Sequence, residues 1–380
     1  MAGYDLAIVG AGILGLAHAL AAAKRGKKVV VIDRDAQANG ASVRNFGFVT
    51  VTGQEAGDCW HLARRAREVW AEVAEEAGIE VLQRGLVLAA RHPESEAVID
   101  AFLKTEMGEG CAKLTADEAQ AHVPQLRSDA AKYALYSPHE IRVESRTAIP
   151  LVTKWLADKW GVTFRFGEAG TSVAPPVIET ASGRIEAETA IVCPGDDFIS
   201  LFPERMSAYA PTRCKLQMLR VVPAKPVLFR TAVMSDLGLG RYLGYADLPE
   251  ADALKKRLDA EQAEARANGI HLIVTQSADG SFVVGDSHHY APTPDPFGSK
   301  AVDDLILDEF DRVLDLPGRT VSENWIGTYA SASGRWRFTD KPSDDVRIVV
   351  VTAGCGASTA FGIAEETIAD LFGSQSGVAA

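Results

Sequence analysis

The sequence is poor in cysteine, with only five among 380 residues and no C-x-x-C pair. Scattered cysteines favour reduced thiols in a reducing compartment and do not support a metal site. Long apolar runs are also missing, since none approaches the roughly 20 residues that a membrane helix needs. The first apolar run begins at Leu6, which leaves no room for a signal peptide before it. We therefore expect a cytoplasmic protein, with no metal and no membrane partner.

Positive charge is in deficit as well, because 39 lysines and arginines face 51 acidic residues and the formal net charge is −12. Nucleic acids and anionic membranes bind basic surfaces, so the overall charge argues against both as partners. The apolar fraction of 47% is ordinary for a globular protein, and no internal repeat is visible. A chain of 380 residues is about the right length for two domains.

A glycine-rich string near the N-terminus, Gly10-x-Gly12-x-x-Gly15, lies between two short apolar runs at 6–9 and 29–32. An alanine-rich segment separates the string from the second run, so the order predicts a β-α-β unit. In such a unit the first glycine allows a tight turn, the second lets backbone approach a pyrophosphate, and the third lets the helix pack closely on the strand. The helix N-terminus then faces the phosphates.

Asp33 follows the second apolar run, eighteen residues after Gly15. A carboxylate at this position accepts a hydrogen bond from a ribose 2′-hydroxyl and repels a 2′-phosphate. The pattern therefore predicts FAD or NAD as the bound dinucleotide and excludes NADP.

A second glycine-rich turn, 353–359, follows the buried run 346–351 and opens a C-terminal helix. Its free N-H groups and positive dipole end suit the edge of a flavin ring, where negative charge develops on reduction. A third such turn ends at Gly195. Because ligands in open α/β sheets lie at the carboxyl ends of strands, Gly10, Gly195 and Gly354 are expected at one site.

The segments between these turns predict the fold class and its division. Nucleotide-type segments occur at both ends and in the middle, while several β-rich runs between 216 and 284 predict antiparallel pairing. We expect an α/β protein with a Rossmann-like FAD-binding domain and an inserted α+β substrate domain built on an antiparallel sheet. The expected bounds are 1–83, 140–214 and 318–373 for the FAD-binding domain, 84–139 and 215–317 for the substrate domain, and 374–380 for a loose tail.

After Asp33 comes a loop around Ser42, 39–48, which is rich in turn formers and small residues. This loop, the first glycine string, the Gly195 turn and the C-terminal turn together resemble the D-amino-acid oxidase superfamily. This superfamily includes glycine oxidase and sarcosine oxidase, and the resemblance covers nearly the whole chain. It implies FAD, which we expect to be held noncovalently, and oxidation of an amine by hydride transfer to flavin N5. The resulting imine is hydrolysed to an aldehyde. The cofactor-binding residues predicted from the motifs and the resemblance are Gly10, Gly12, Gly15, Asp33, Arg34, Ser42, Arg44, Asn45, Val173, Gly195, Gly354, Gly356, Ser358 and Thr359.

Two departures from the superfamily pattern bear on the substrate. Amino-acid oxidases of this group have a Trp-x-Gly-x-Arg-Pro segment whose arginine clamps the substrate carboxylate, whereas Trp325-Ile-Gly327-Thr-Tyr329 has a tyrosine there. The run 282–285 lacks the lysine that assists oxygen in monomeric sarcosine oxidases. An ordinary amino-acid substrate and rapid use of oxygen are both put in doubt.

Three strings, 42–47, 215–220 and 285–290, resemble a bacterial subgroup that accompanies phosphonate breakdown. The resemblance implies 2-aminoethylphosphonate or an N-alkyl derivative as substrate and phosphonoacetaldehyde as product. A dianionic phosphonate needs several donors, which Arg44 together with Lys215, Arg241 or Arg335 would supply.

Four residues are candidates for contact with the substrate: Arg44, Tyr242, His288 and Tyr329. Burying the charge of an arginine costs free energy unless the guanidinium is paired with an anion, which favours a functional role for Arg44. Aromatic residues and histidines often serve only to pack the core. The thiol of Cys355 offers a point of covalent attachment for a flavin. The small residues around it favour the simpler interpretation that a cysteine is present because it fits the available space. The alternatives left open are a glycine, sarcosine or D-amino-acid oxidase, an NAD-dependent dehydrogenase, and a flavin-binding protein without turnover. A homo-oligomer also remains open.

Overall fold

A computed structural model of the chain describes residues 3–127, 129 and 132–373. The expected tail at 374–380 lies outside the described residues. The strands, in chain order, are β1 (Tyr4–Val9), β2 (Val29–Asp33), β3 (Phe48–Val49), β4 (Val81–Ala90), β5 (Ala112–Thr115), β6 (Tyr133–Val143), β7 (Thr163–Phe166), β8 (Gly170–Ala174), β9 (Val177–Thr180), β10 (Gly183–Val192), β11 (Thr212–Val222), β12 (Ala232–Ser235), β13 (Ile273–Gln276), β14 (Phe282–Gly285), β15 (His289–Ala291), β16 (Thr320–Ser331), β17 (Arg337–Ser343) and β18 (Val346–Val351).

The helices surround these strands, and none of those described is both long and apolar enough to cross a bilayer. They are α1 (Ile13–Ala23), α2 (Asp58–Glu76), α3 (Pro93–Phe102), α4 (Ala116–His122), α5 (Ser145–Trp160), α6 (Pro203–Ser207), α7 (Leu243–Ala246), α8 (Ala251–Glu261), α9 (Ala263–Ala267), α10 (Lys300–Val313) and α11 (Gly356–Phe372).

The first sheet has the strand order β17-β18-β10-β1-β2-β7. Its central strands β18, β10, β1, β2 and β7 are parallel, and Leu6 of β1 lies opposite Val29 of β2. The predicted β-α-β unit is therefore present, with both apolar runs buried. Parallel strands place their carboxyl ends at one edge, which brings the turns after β1, β10 and β18 together.

The second sheet has the order β15-β11-β14-β13-β12-β4-β6-β3, with β16 beside β11 and β5 beside β6. Its pairings are antiparallel except that between β12 and β4. The α/β fold class, with a Rossmann-like unit and an antiparallel sheet, is confirmed. Strands β3 and β16 join the second sheet although 1–83 and 318–373 were assigned to the FAD-binding domain, so the exact domain bounds stay a proposal.

Two local expectations fail where tertiary pairing overrides sequence pattern. The amphipathic pattern of 142–160 predicts one helix, but β6 continues to Val143 because Ile141 and Arg142 pair with β3. The helix begins only at Ser145. The pattern of 227–233 predicts a strand, but β12 begins at Ala232, where it meets β4.

Candidate active site

A cavity of about 680 Å³ extends from the carboxyl edge of the first sheet to the second sheet. Gly10, Gly195 and Gly354 all line it, as expected from their positions after β1, β10 and β18. At the other end the wall is formed by side chains of the second sheet and its loops. The cavity therefore joins a region suited to a dinucleotide with a separate region suited to a substrate.

The first glycine turn fits close backbone packing around a phosphate group. Gly10 has φ +109°, and a Cβ there would lie 2.2 Å from the carbonyl oxygen of Cys193. A Cβ on Gly15 would lie 1.8 Å from the carbonyl oxygen of Gly10. A Cβ on Gly12 would lie 2.9 Å from the hydroxyl of Ser42, which itself accepts a hydrogen bond from the Ile13 amide at 2.9 Å. The residues present thus fit the pyrophosphate of a dinucleotide at the start of α1.

Asp33 lines the same end of the cavity. Its carboxylate accepts hydrogen bonds from the amides of Ala11 (2.6 Å) and Asp35 (2.9 Å). These bonds orient the carboxylate, and its remaining lone pairs are available to a ribose hydroxyl.

We expect the substitution Asp33→Asn to weaken FAD retention by about 1.5 to 3 kcal/mol, because it removes a charge-assisted hydrogen bond. The measurement is the dissociation constant of FAD by fluorescence titration of the apoprotein. Asp308→Asn, on the exposed side of α10, is the control and should leave the affinity unchanged. Unchanged affinity in Asp33→Asn would mean that the ribose is held elsewhere.

The Ser42 loop also lines the cavity, and its polar residues have different partners. Asn45 holds the loop itself: its amide donates to Ala41 (2.7 Å) and its oxygen accepts from the Gly47 amide (2.6 Å). Arg34 pairs with Asp197 at 2.9 Å. For Arg44, by contrast, no hydrogen bond or ion pair is found in the part of the chain that the structure describes.

Three predicted cofactor residues, Val173, Ser358 and Thr359, do not line the cavity, and their part in binding the cofactor stays a prediction. The side chain of Val173, in β8, packs into the core with Ile185 and Ala187 of β10. The preceding residues 169–171 form the cavity wall instead. Ser358 accepts a hydrogen bond from the Thr50 amide at 2.9 Å, and Thr359 donates to the Cys355 carbonyl at 2.9 Å. The Ser358 hydroxyl thus joins α11 to the segment after β3, and the Thr359 hydroxyl bonds within the first turn of α11, whereas Gly354 and Gly356 line the cavity.

The substrate end of the cavity is lined by a row of rings from four separate elements. Tyr242, His271, His288 and Tyr329 follow one another with centroid distances of 5.4, 5.0 and 6.5 Å. The hydroxyl of Tyr329 points to the C-terminal turn, since a Cβ on Gly354 would lie 3.7 Å from it. Three of the four predicted substrate residues therefore lie in one row, and Tyr329 connects that row with the flavin end.

Asp286 lies beneath this row and is 4% exposed. Burial raises the pKa of its carboxyl to about 8, against the opposing effect of the Arg241 guanidinium. Burial likewise holds the pKa of His271 and of His288 well below the ordinary value, so both imidazoles are uncharged at neutral pH. The ligand atoms of these two histidines and Asp286 lie within 4.8 Å of one another, a separation that suits hydrogen bonds or a shared cation.

Sequence reasoning missed His271 and Asp286 as members of the site. Asp286 carried a signal, because it stands in the same strand-end string as His288, but His271 only began an apolar run. The three basic residues suggested as anion ligands do not line the cavity. Lys215 donates to the Phe297 carbonyl (2.9 Å), Arg241 donates to the Tyr290 hydroxyl (3.0 Å), and Arg335 stacks over Tyr209 (5.3 Å).

Comparison with known proteins agrees with this architecture. Glycine oxidase of Geobacillus kaustophilus is 25% identical over 205 residues, a match that spans 50% of this chain and 54% of that protein. The crystal structure of glycine oxidase from Bacillus cereus superposes with a TM-score of 0.78 at 16% identity, covering 98% of this chain and 96% of the other. That of L-proline dehydrogenase from P. horikoshii gives 0.79 at 18% identity, covering 97% and 93%.

The family of FAD dependent oxidoreductases named DAO matches residues 5–371. This match spans both sheets, the glycine turn at the start of α1 and the turn at the start of α11. The dinucleotide predicted from the first thirty-three residues is therefore FAD. The chain belongs to the DAO family of FAD-dependent oxidoreductases.

Proposed function

We propose that the protein oxidises an amine that carries an anionic group, with 2-aminoethylphosphonate or its N-alkyl derivative as substrate and phosphonoacetaldehyde as product. Bound FAD would supply the hydride acceptor, next to the row of rings at the substrate end. We infer noncovalent FAD, because Cys355 is buried and is not part of the cavity wall while its neighbours Gly354 and Gly356 are.

The observation that carries the proposal is the position of Arg44. Among the described residues, Arg34 and Arg44 are the only arginines or lysines that line the cavity, and Arg34 is paired with Asp197 near the dinucleotide end. The backbone of Arg44 lies beside β16, since a Cβ on Gly327 would lie 3.0 Å from its carbonyl oxygen. An arginine that lies beside the strand carrying Tyr329, and whose guanidinium has no partner among the described residues, favours an anionic substrate.

A tetrahedral anion is favoured over a carboxylate by the groups around Arg44. Tyr329 stands where the superfamily pattern has a carboxylate-clamping arginine, so the position from which one guanidinium forms two parallel bonds to a planar carboxylate carries a phenol instead. The hydroxyl of Tyr329 lines the same end and can donate to a further oxygen of a phosphonate. All three strings that resemble the phosphonate-associated subgroup, 42–47, 215–220 and 285–290, contribute residues to the wall.

The test is anaerobic reduction of the bound flavin. Oxidised enzyme is mixed with 2-aminoethylphosphonate, its N-methyl derivative, glycine, sarcosine and D-alanine, and the absorbance of the flavin is followed. We expect bleaching by at least one aminophosphonate and little by the amino acids. The three oxygens of a phosphonate can accept hydrogen bonds from Arg44 and also from the hydroxyl of Tyr329. Bleaching by glycine or D-alanine, but by neither phosphonate, would reject the proposed substrate.

The second candidate is a glycine oxidase type of activity, which is favoured by the relative of that name from Geobacillus kaustophilus. The two candidates differ in the group that Arg44 would bind, a carboxylate or a phosphonate. Retention of oxidised flavin with every amine would instead support a flavin-binding protein without turnover.

A further inference from the structure

A chain of three polar side chains crosses the substrate end of the cavity. The hydroxyl of Tyr242 lies 3.4 Å from Nε2 of His271, and Nδ1 of His271 lies 3.2 Å from Oδ1 of Asp286. All three side chains line the cavity, and they come from three separate segments of the chain. Each polar group therefore lies close to the next, and the series ends at a carboxyl group of the cavity wall.

His288 adds a second imidazole to the carboxyl group. Its Nδ1 lies 2.9 Å from the Gly269 carbonyl, so this nitrogen carries the proton, and Nε2 presents a lone pair at 3.8 Å from Oδ2 of Asp286. The carboxyl of Asp286 thus lies between two imidazole nitrogens. These surroundings accommodate both the carboxylic acid and the carboxylate form of Asp286.

Two of these atoms are buried without a hydrogen bond of good geometry. Oδ1 of Asp286 and Nδ1 of His271 have no partner in the described structure, although they lie 3.2 Å apart, because their orientations do not form a bond. Buried polar atoms without partners lower the stability of the fold. Because these two unpartnered groups belong to residues of a cavity wall, we infer that they bind a ligand or exchange protons with it.

We propose that Asp286, His271 and Tyr242 form a proton-accepting chain that removes the ammonium proton of the substrate amine. The inference rests on the proposed amine oxidation. In the step, an N-H bond of the ammonium breaks, its electron pair stays on nitrogen, and the proton passes to the carboxylate of Asp286. Total charge is conserved, since the ammonium and the carboxylate become a neutral amine and a neutral carboxylic acid. Only the neutral amine has the lone pair that assists loss of hydride from the adjacent carbon.

The acidity of the groups supports this role. An alkylammonium such as that of lysine has a pKa near 10.4, far from the 3.9 of an ordinary aspartate. The pKa of about 8 that burial confers on Asp286 narrows this gap and makes its carboxylate a stronger base. The pKa of Tyr242 is raised by burial, so its hydroxyl stays protonated and serves to position His271. The titratable or charged groups that lie near the Asp286 carboxyl are Arg241, Tyr242, Cys214, His271 and His288.

The direction of the pH dependence follows from the protonation state in which Asp286 accepts a proton. Asp286 accepts a proton only as the carboxylate, and the ionised fraction grows as pH rises through about 8. Flavin reduction by a saturating amine should therefore rise with pH with a midpoint near that value, before the substrate amine itself loses its proton.

The experiment measures anaerobic flavin reduction by stopped flow from pH 6 to pH 10 with the amine that bleaches the wild-type flavin. We expect Asp286→Asn to reduce the rate roughly 100- to 10,000-fold at neutral pH, the usual range for loss of a general base. Its remaining activity should follow the pKa of the free amine. His271→Gln should keep the carboxylate but shift the midpoint. His289→Gln is the matched control, because His289 bonds Asn268 outside the cavity (3.0 Å).

The outcomes separate the two proposals. If Asp286→Asn, with unchanged flavin spectrum and thermal stability, keeps the wild-type rate and pH profile, the proton-accepting chain is rejected while the proposed function stands. If stoichiometric metal is found in the wild type and lost in Asp286→Asn, and chelation of the metal abolishes activity, the cluster is a cation site and the inference is overturned. If glycine alone bleaches the flavin, the substrate is wrong and the same profiles measured with glycine decide the inference. If no amine bleaches it, both proposals fail.

Discussion

The Gly15→Ala protein is expected to be purified without bound flavin. The added Cβ would lie 1.8 Å from the carbonyl oxygen of Gly10 and 3.4 Å from a methyl group of Ile8. The first of these contacts is with backbone, which cannot rotate away as a side chain can. Relief therefore requires α1 to move away from β1, and this displaces the amides at the start of the helix that face the pyrophosphate.

Flavin content is measured from the ratio of absorbance at 450 nm to that at 280 nm, and the melting temperature is recorded beside it. Gly298→Ala is the control, because a Cβ there makes only ordinary contacts, the nearest at 3.7 Å from Gln217, and it should retain full flavin. Wild-type flavin content in Gly15→Ala would show that the helix tolerates the shift and would contradict the tight packing of α1 on β1.

Arg44→Gln is expected to retain FAD but to lower kcat/KM for the anionic amine roughly 10- to 150-fold. This range corresponds to the loss of about 1.5 to 3 kcal/mol from a hydrogen bond to a charged group. Arg44 lines the cavity beside Gly327 and has no partner among the described residues, so its substitution breaks no internal ion pair. Most of the loss should appear in KM, because the anion is bound equally in the ground state and the transition state.

Arg335→Gln is the matched control for the removal of one guanidinium. Arg335 is exposed and stacks on Tyr209 away from the cavity, so its substitution should leave both flavin content and kinetics near wild type. Loss of FAD in Arg44→Gln, with normal kinetics in the fraction that retains it, would assign Arg44 to the pyrophosphate instead of the substrate. A neutral amine should be much less affected than an anionic one.

The capping box at α4 illustrates which local features were predictable. Thr115 accepts from the Glu118 amide and Glu118 accepts from the Thr115 amide, as the Thr-x-x-Glu spacing indicated. By contrast, β6 was missed, because Pro138, His139 and Glu140 interrupt its apolar pattern. Glu140 is nevertheless buried, and its carboxylate accepts a hydrogen bond from the Thr52 amide at 2.9 Å, a partner that no local pattern reveals.

The sequence by itself determined the β-α-β unit, the turn that opens α11, the α/β fold class and a bound dinucleotide that is FAD or NAD. These depend on short-range order, since strand, turn and helix signals follow one another within about thirty residues in a typical β-α-β unit. The resemblance of its motifs to the D-amino-acid oxidase superfamily selected FAD. The tertiary structure alone decided that Val173, Ser358 and Thr359 do not line the cavity and that Lys215, Arg241 and Arg335 have other partners.

It also decided that Tyr242, His271 and Asp286 meet at one wall. His271 precedes β13 and Asp286 follows β14. They lie side by side because β13 and β14 pair antiparallel, which brings the start of one strand beside the end of the next. Spacing along a chain carries no information about which strands will pair across a sheet. The pairing is selected by burial of both faces, a property of the whole fold.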